Sequence, residues 1–267
     1  MARQRGALKY TGTIGDVRHF KIKGQEGYFA GMVGGATAEQ IKNAPEFART
    51  RENMSEFGAC AKAGKSVRTG LSQLMKQMAD SQATGRLTAV MKKINLEDQT
   101  EARGYRKIEI TTQRSYLRGF EFDKNTSFSG IFNAPYSVTH IAARSAGSLV
   151  VPAFNPANLV NAPAGATHFR LLIALSVVSD FEYNAITNAY EPMQPDTNEK
   201  STVVYSAYLD LNTLIAASTL TAALPAGTVP NADVSVLQSV GIEFSQKVGA
   251  NYYLFSSGNC LKVEEVF

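Results

Sequence analysis

The chain opens on short alternating segments punctuated by glycine. In LKYTGTI, Leu8, Tyr10 and Ile14 fall two or four positions apart. Gly15-Asp16 supplies a turn, and VRHFKIK continues with Phe20 and Ile22 on one face, the period-2 pattern of a half-buried strand. Gly24 to Gly27 marks a second turn, and YFAGMV reads as a third strand that ends at Gly34-Gly35. A sheet this small needs a covering layer, and the pattern then switches to helical spacing. Thr37 and Gln40 stand at the spacing of a capping box, and Pro45 suits the first position of a new helix. No proline interrupts the stretch from Glu46 to about Met78, where Phe57, Val67, Leu71, Leu74, Met75 and Met78 fall on one side. This predicts one amphipathic helix, or two with a break near Gly58 to Gly64. Leu87, Val90, Met91 and Ile94 repeat the i, i+3, i+4, i+7 spacing and predict a further helix over Arg86 to Asn95.

After Asp98 helical spacing disappears. Aromatic and β-branched runs bounded by Gly, Pro, Asn and Ser take over: SYLRGFEF, YSVTHIAAR, SLVV, THFRLLIALSVVSDFEY, STVVYSAYLDL, TLTAAL, DVSVLQSVGIEFS, NYYLFSS and CLKVEEVF. Val203, Tyr205, Ala207, Leu209 and Leu211 alternate as in a strand with one buried face. The pattern predicts an α+β chain: short β-strands and basic amphipathic helices over residues 1–100, then an antiparallel, jelly-roll-like β-sandwich over 101–267. The connections at 153–165 and 184–200 are long enough to form a ligand-binding edge, where Phe154, Tyr190 and Asn188 would stack on and hydrogen-bond to a carbohydrate.

With 44% apolar and 19% charged residues over 267 positions, the composition excludes a disordered chain, a disulfide-stapled miniprotein and a zinc array. Charge changes the picture more. Residues 1–124 hold 22 Lys/Arg against 13 Asp/Glu, a balance of +9, whereas residues 125–267 hold 5 against 10, a balance of −5. Such asymmetry suggests a polyanion partner for the basic half, or attraction between copies of the chain. The longest apolar run, Leu171 to Val178, is shorter than the roughly 20 residues that cross a hydrocarbon core. Lys9 and several glycines interrupt the start before the apolar stretch of a Sec-type leader develops. These features point to the cytoplasm or to a released particle.

The catalytic signatures are missing. GACAKAGKS (Gly58 to Ser66) misses the phosphate-loop spacing by one residue and lies in a helical, polar context. His19, His140 and His168 are scattered without a ligand at i+3 or i+4, and His19 and His140 sit in strand-like runs. Cys60 and Cys260, 200 residues apart, form no metal pair and no disulfide framework, and no serine-nucleophile motif is present. No cofactor, metal or catalytic residue is assigned, and an enzyme is the least favoured class.

The basic half carries the positive signal. On a continuous helix Lys62, Lys65 and Lys76 fall within a sector of about 60°, away from the apolar stripe, with Arg68 at its border. Residues 103–118 interleave Arg and Lys with Tyr105 and Tyr116, a pattern suited to phosphate contact plus stacking. The Gly-rich, lightly charged N-terminal strands offer unprotected edges for pairing. The favoured reading is a non-enzymatic structural protein that self-associates as part of a filament, tube, shell or virion. Tyr10, Ile14, Phe20 and Tyr28 would contribute strand contacts, while Arg49, Arg51, Lys62 and Lys65 face acidic sandwich edges. A nucleic-acid-associated accessory protein using the same cations is the alternative.

TGTIGDVRHFKIKG, GYFAGMVGG, FARTRENMSEFG and AKAGKSVR together resemble an uncharacterised family of bacterial proteins of similar length. In that family a strand-turn-strand segment is likewise followed by a double glycine and an Arg-rich helical stretch. The resemblance covers roughly the first 75 residues, and Phe47 to Gly58 is its most specific part. It implies a bacterial or phage-like origin and places the Gly-Lys-Ser stretch in a helix; it implies no activity or cofactor.

Overall fold

The structure, a computed structural model, describes residues 2–267. The chain divides into two compact units, Met1–Arg51 and Glu52–Phe267. The change of texture near residue 100 therefore falls inside the second unit.

The first unit contains four short strands, β1 (Ala2–Arg3), β2 (Gly12–Ile14), β3 (Val17–Phe20) and β4 (Phe29–Met32), in one antiparallel sheet of order β1-β4-β3-β2. The turn at Gly15 needs a positive φ of 55°, which glycine adopts without the steric cost borne by other residues. Helix α1 (Ala38–Asn43) follows, and its capping box forms as the spacing predicts: the Gln40 amide donates to Thr37 Oγ1 at 3.2 Å and the Thr37 amide to Gln40 Oε1 at 2.8 Å. A single 3-10 turn, Pro45–Phe47, leads into helix α2 (Ala48–Gly70). The helical layer expected to give this sheet a core does not do so, since none of the described residues of the first unit is buried.

The second unit is layered. After α2 come α3 (Ser72–Met78), α4 (Ala83–Glu97), a 3-10 turn at Arg114–Tyr116 and α5 (Phe128–Ile131). Then follow β5 (Ser137–His140), β6 (Ala146–Val151), α6 (Pro156–Leu159), β7 (His168–Ser179), β8 (Phe181–Asn184) and β9 (Ala189–Pro192). The chain ends with β10 (Ser201–Tyr205), β11 (Leu209–Asp210), β12 (Ser218–Ala223), β13 (Val234–Val248), β14 (Asn251–Leu254) and β15 (Cys260–Val266). The central antiparallel sheet runs β10-β7-β13-β14, with β11 on β7 and β15 on β13; a three-stranded sheet has the order β12-β6-β5, and β8 and β9 pair as a hairpin. This is an α+β fold with a sandwich-like β part.

Strand β7 explains the layering. Its apolar run is covered on both faces, which is why alternation is lost there. Leu172, Ala174 and Val178 pack in one core with Val67, Leu71, Leu87 and Met91 of the helices, while Leu171, Ile173, Leu175 and Val177 pack in a second core with Leu149 and Val151 of β6. Burying each such side chain contributes about 1.5–3 kcal/mol. Strand β10 divides likewise: Val203 and Tyr205 pack on the first core and Val204 on the second, so the expected single buried face is corrected to two. Gln238 on β13 links the sheets by donating to Ser148 O at 3.0 Å.

Two further expectations are corrected. The helical break lies at Leu71 rather than between Gly58 and Gly64. A Cβ at Gly64 would sit 3.6 Å from Leu87 Cβ, at ordinary van der Waals distance, so α4 lies against this stretch of α2, which continues through the glycine unbroken. The buried face of α2 is made of small residues, Ala59, Cys60, Ala63 and Gly64 among them, and Phe57 points outward, 56% exposed. Secondly, residues 115–122 form no regular strand. They pass through the 3-10 turn and then run along β15, where the Gly119 amide donates to Val263 O at 2.7 Å and the Phe122 amide to Leu261 O at 3.0 Å.

Candidate functional site

The strand residues singled out for assembly come together on the small N-terminal sheet. Ile14 ends edge strand β2, Phe20 ends β3 and stacks on Phe29 at 6.3 Å, and Lys21 lies 4.5 Å from the centre of the Tyr28 ring. Tyr10 packs on the His19 ring at 4.4 Å, and the Gln4 side chain ties the two by bonding Tyr10 O and His19 Nδ1. Leu8, Ile14 and Met32 stay 86%, 61% and 73% exposed. The first unit holds nine Lys/Arg against four Asp/Glu, a balance of +5. It thus combines two open sheet edges, exposed aliphatic side chains and positive charge, and edges of this kind are templates for pairing with another chain.

The two arginines differ. Arg49 is exposed in the first turn of α2. Arg51 instead donates from Nη1 to Ile41 O at 2.8 Å and to Ala44 O at 2.9 Å, satisfying carbonyls that the end of α1 leaves open. Its charge works inside the unit, which corrects its placement at an interface.

The basic face does not form as one surface. The break at Leu71 moves Lys76 to a separate helix, α3, where it is exposed. Lys62 donates to Tyr190 O at 3.0 Å, and together with the exposed Lys65 it lines a groove of about 410 Å³ that also includes Ser66, Phe181 and Glu199. Arg68 is half-buried and, like Lys76, lies outside that groove. Two of the three residues expected at a carbohydrate-binding edge do not reach the surface: Phe154 and Tyr190 are core side chains, the Tyr190 hydroxyl donating to Gly104 O and Arg106 O, and only Asn188 is exposed.

Several buried titratable groups are engaged within the fold. Buried Glu56 pairs with Lys92 and accepts from the Gly104 amide at 2.8 Å. Burial pushes its carboxyl up, but these bonds outweigh it and hold the group below the usual carboxylate range. Asp180 accepts from the Thr111 hydroxyl and from the Thr111 amide at 3.0 Å, and burial pushes it up to about 6. Burial also pushes the Cys60 thiol up to about 12 and the Cys260 thiol higher still, so neither is a thiolate at neutral pH. His19, His140 and His168 lie on β3, β5 and β7, and Gly64-Lys65-Ser66 lies in mid-helix. Among the described residues no three His, Cys, Asp or Glu side chains converge on a metal position, and no helix is long and apolar enough to cross a membrane.

A second groove was not anticipated from the sequence. It lies between α4 and residues 116–124 and is rimmed by Arg86, Lys93, Arg118 and Lys124. The signals available were the i, i+4, i+7 spacing of Arg86, Val90 and Lys93, which places the three on one helix face, and the interleaved basic and aromatic residues of 103–118, which end in Tyr116 and Arg118; nothing in the sequence shows that the two segments meet.

Fold and surfaces define a mixed α+β protein with an uncovered N-terminal sheet. No family model, curated protein or solved structure matches the chain.

Proposed function

We propose that the chain is a non-enzymatic structural subunit that self-associates into a filament, tube, shell or virion component, in the cytoplasm or in a released particle. The observation that carries this reading is the state of the first unit: a four-stranded sheet that encloses no buried residue while leaving Leu8, Ile14 and Met32 exposed. A sheet of this size is marginal without a packed face, and a neighbouring copy supplies one. Charge supports the same reading, because a first unit at +5 is complementary to residues 125–267, at −5, of a neighbouring copy. Head-to-tail contacts of this kind close into rings or extend into filaments according to the rotation between copies. Negative-stain electron microscopy of the purified full chain tests it. Filaments, rings or shells are the expected outcome; a field with no repeating object, at every protein concentration and ionic strength tried, contradicts it.

A further inference from the structure

The groove between α4 and residues 116–124 has a volume of about 480 Å³ and a floor that includes Ala89, Val90 and Phe120. We propose that it binds single-stranded nucleic acid, with a base on the Tyr116 ring and neighbouring phosphates on Lys93, Arg118 and Lys124. This inference is independent of self-association.

Charge is the first argument. Four cations line the groove against one carboxylate, Glu121. Both Glu121 oxygens accept from the Phe128 amide, and burial pushes this carboxyl up, towards its neutral form. The acids that pair with the rim do not line the groove: Asp80 holds Arg86 at 2.7 Å and Glu265 holds Arg118 at 2.8 Å. Arg86 also donates to Glu121 O at 2.6 Å and Phe122 O at 2.8 Å, so it contributes charge rather than free donors, whereas the exposed Arg118 guanidinium, with five N–H groups, keeps donors for a ligand. Lys93 is exposed and has no acceptor among the described residues; Lys124 Nζ bonds only the neutral Gln82 side chain, at 2.7 Å.

The aromatic wall is the second argument. Tyr116 is exposed at the groove, and its hydroxyl donates to Glu97, which fixes the ring. Behind it Phe120 is buried, with the Arg86 guanidinium 5.1 Å from its ring centre. A planar base of any identity can stack on such a ring, because every base has a π-face. The third argument is openness. Lys93, Tyr116, Arg118 and Lys124 are all exposed, so an isolated small ligand would keep much of its surface in water, unlike ligands in enclosed pockets. A single strand, by contrast, can enter and leave so open a groove at both ends.

The test is fluorescence anisotropy with the full chain and fluorescein-labelled oligothymidylate and oligouridylate of about 12 nucleotides, titrated between about 50 and about 200 mM salt. Three phosphate contacts predict a log–log salt slope near −2, and Lys93→Ala and Lys124→Ala should each flatten it by about 0.7. Tyr116→Ala should weaken binding about tenfold or more, whereas Tyr116→Phe, which keeps the ring, should bind like wild type. Lys62→Ala, in the other groove, should have no effect. These side chains are exposed, so the variants should share the wild-type thermal unfolding transition. Absence of binding at the lowest salt, unchanged affinity in Lys93→Ala with Lys124→Ala, or unchanged affinity in Tyr116→Ala overturns the proposal. Competition by a mononucleotide as effective as that by the oligonucleotide, at equal nucleotide concentration, also overturns it.

Discussion

Strand residues meet opposite fates in the two units. In the second, Leu172, Ile173 and Ala174 on β7 are wholly removed from water, consecutive residues entering different cores above and below one sheet. In the first, Ile14 and Met32 also lie on strands of an antiparallel sheet, yet both remain largely exposed. The second unit supplies its own layers: three helices on one face of the central sheet and a smaller sheet on the other. The first supplies strands without a layer. A sheet pattern in the sequence thus indicates which side chains share a face, while burial depends on what the chain brings to cover that face.

Truncation should cost most in the second unit's core. Phe169→Ala should lower the unfolding free energy by about 3–5 kcal/mol in denaturant titration, whereas Leu8→Ala in the first unit should change it by less than about 0.5 kcal/mol. Next comes the close approach of α2 to β7. A Cβ at Gly70 would lie 2.0 Å from Ser176 Oγ and 3.2 Å from Ser176 Cβ, both in a fully buried setting. Gly70→Val should therefore destabilise by about 2–3 kcal/mol in the same assay.

A smaller effect is set by pH. The folded Asp180 binds its proton more tightly than the unfolded chain does, so ionisation at neutral pH opposes folding, and this penalty shrinks as pH falls through about 6. Measured against Asp180→Asn, wild type should gain about 1 kcal/mol between pH 7 and pH 5. Glu56 has the reverse sign: its folded carboxyl lies below the usual range, so its stabilisation is present above the unfolded value and is lost as pH falls through the folded one. Glu56→Gln should remove that acid-side loss. The smallest effect belongs to Arg51. Arg51→Ala should remove about 1 kcal/mol from the end of α1, speeding hydrogen exchange at the Ile41 and Ala44 amides and leaving the unfolding of the second unit unchanged.

Much of the fold was legible where local chemistry decides it. The capping box at Thr37, the apolar face of α4 and the turn at Gly15 follow from rules that act over a few residues. The break at Leu71 was not legible, because Gly58 and Gly64 look like breakers, whereas the helix runs through both and ends only at Gly70. Residues 115–122 read as a strand because Phe120 and Phe122 alternate towards the core, although the preceding 3-10 turn leaves the segment only bridge-like pairing with β15. The site was half legible. Tyr10, Ile14, Phe20 and Tyr28 do gather on one sheet, but Arg51 and Lys62 find carbonyl partners that no sequence spacing announces. The cationic groove needed two segments about 25 residues apart to meet, which tertiary structure alone supplies.

Self-association is read from light scattering coupled to size-exclusion chromatography of the full chain, across protein concentration and ionic strength. Wild type should give a mass of two or more times 28.9 kDa, and Ile14→Asp with Met32→Asp, which place charge on the exposed sheet, should return it to 28.9 kDa. A wild-type mass of 28.9 kDa under every condition would contradict self-association.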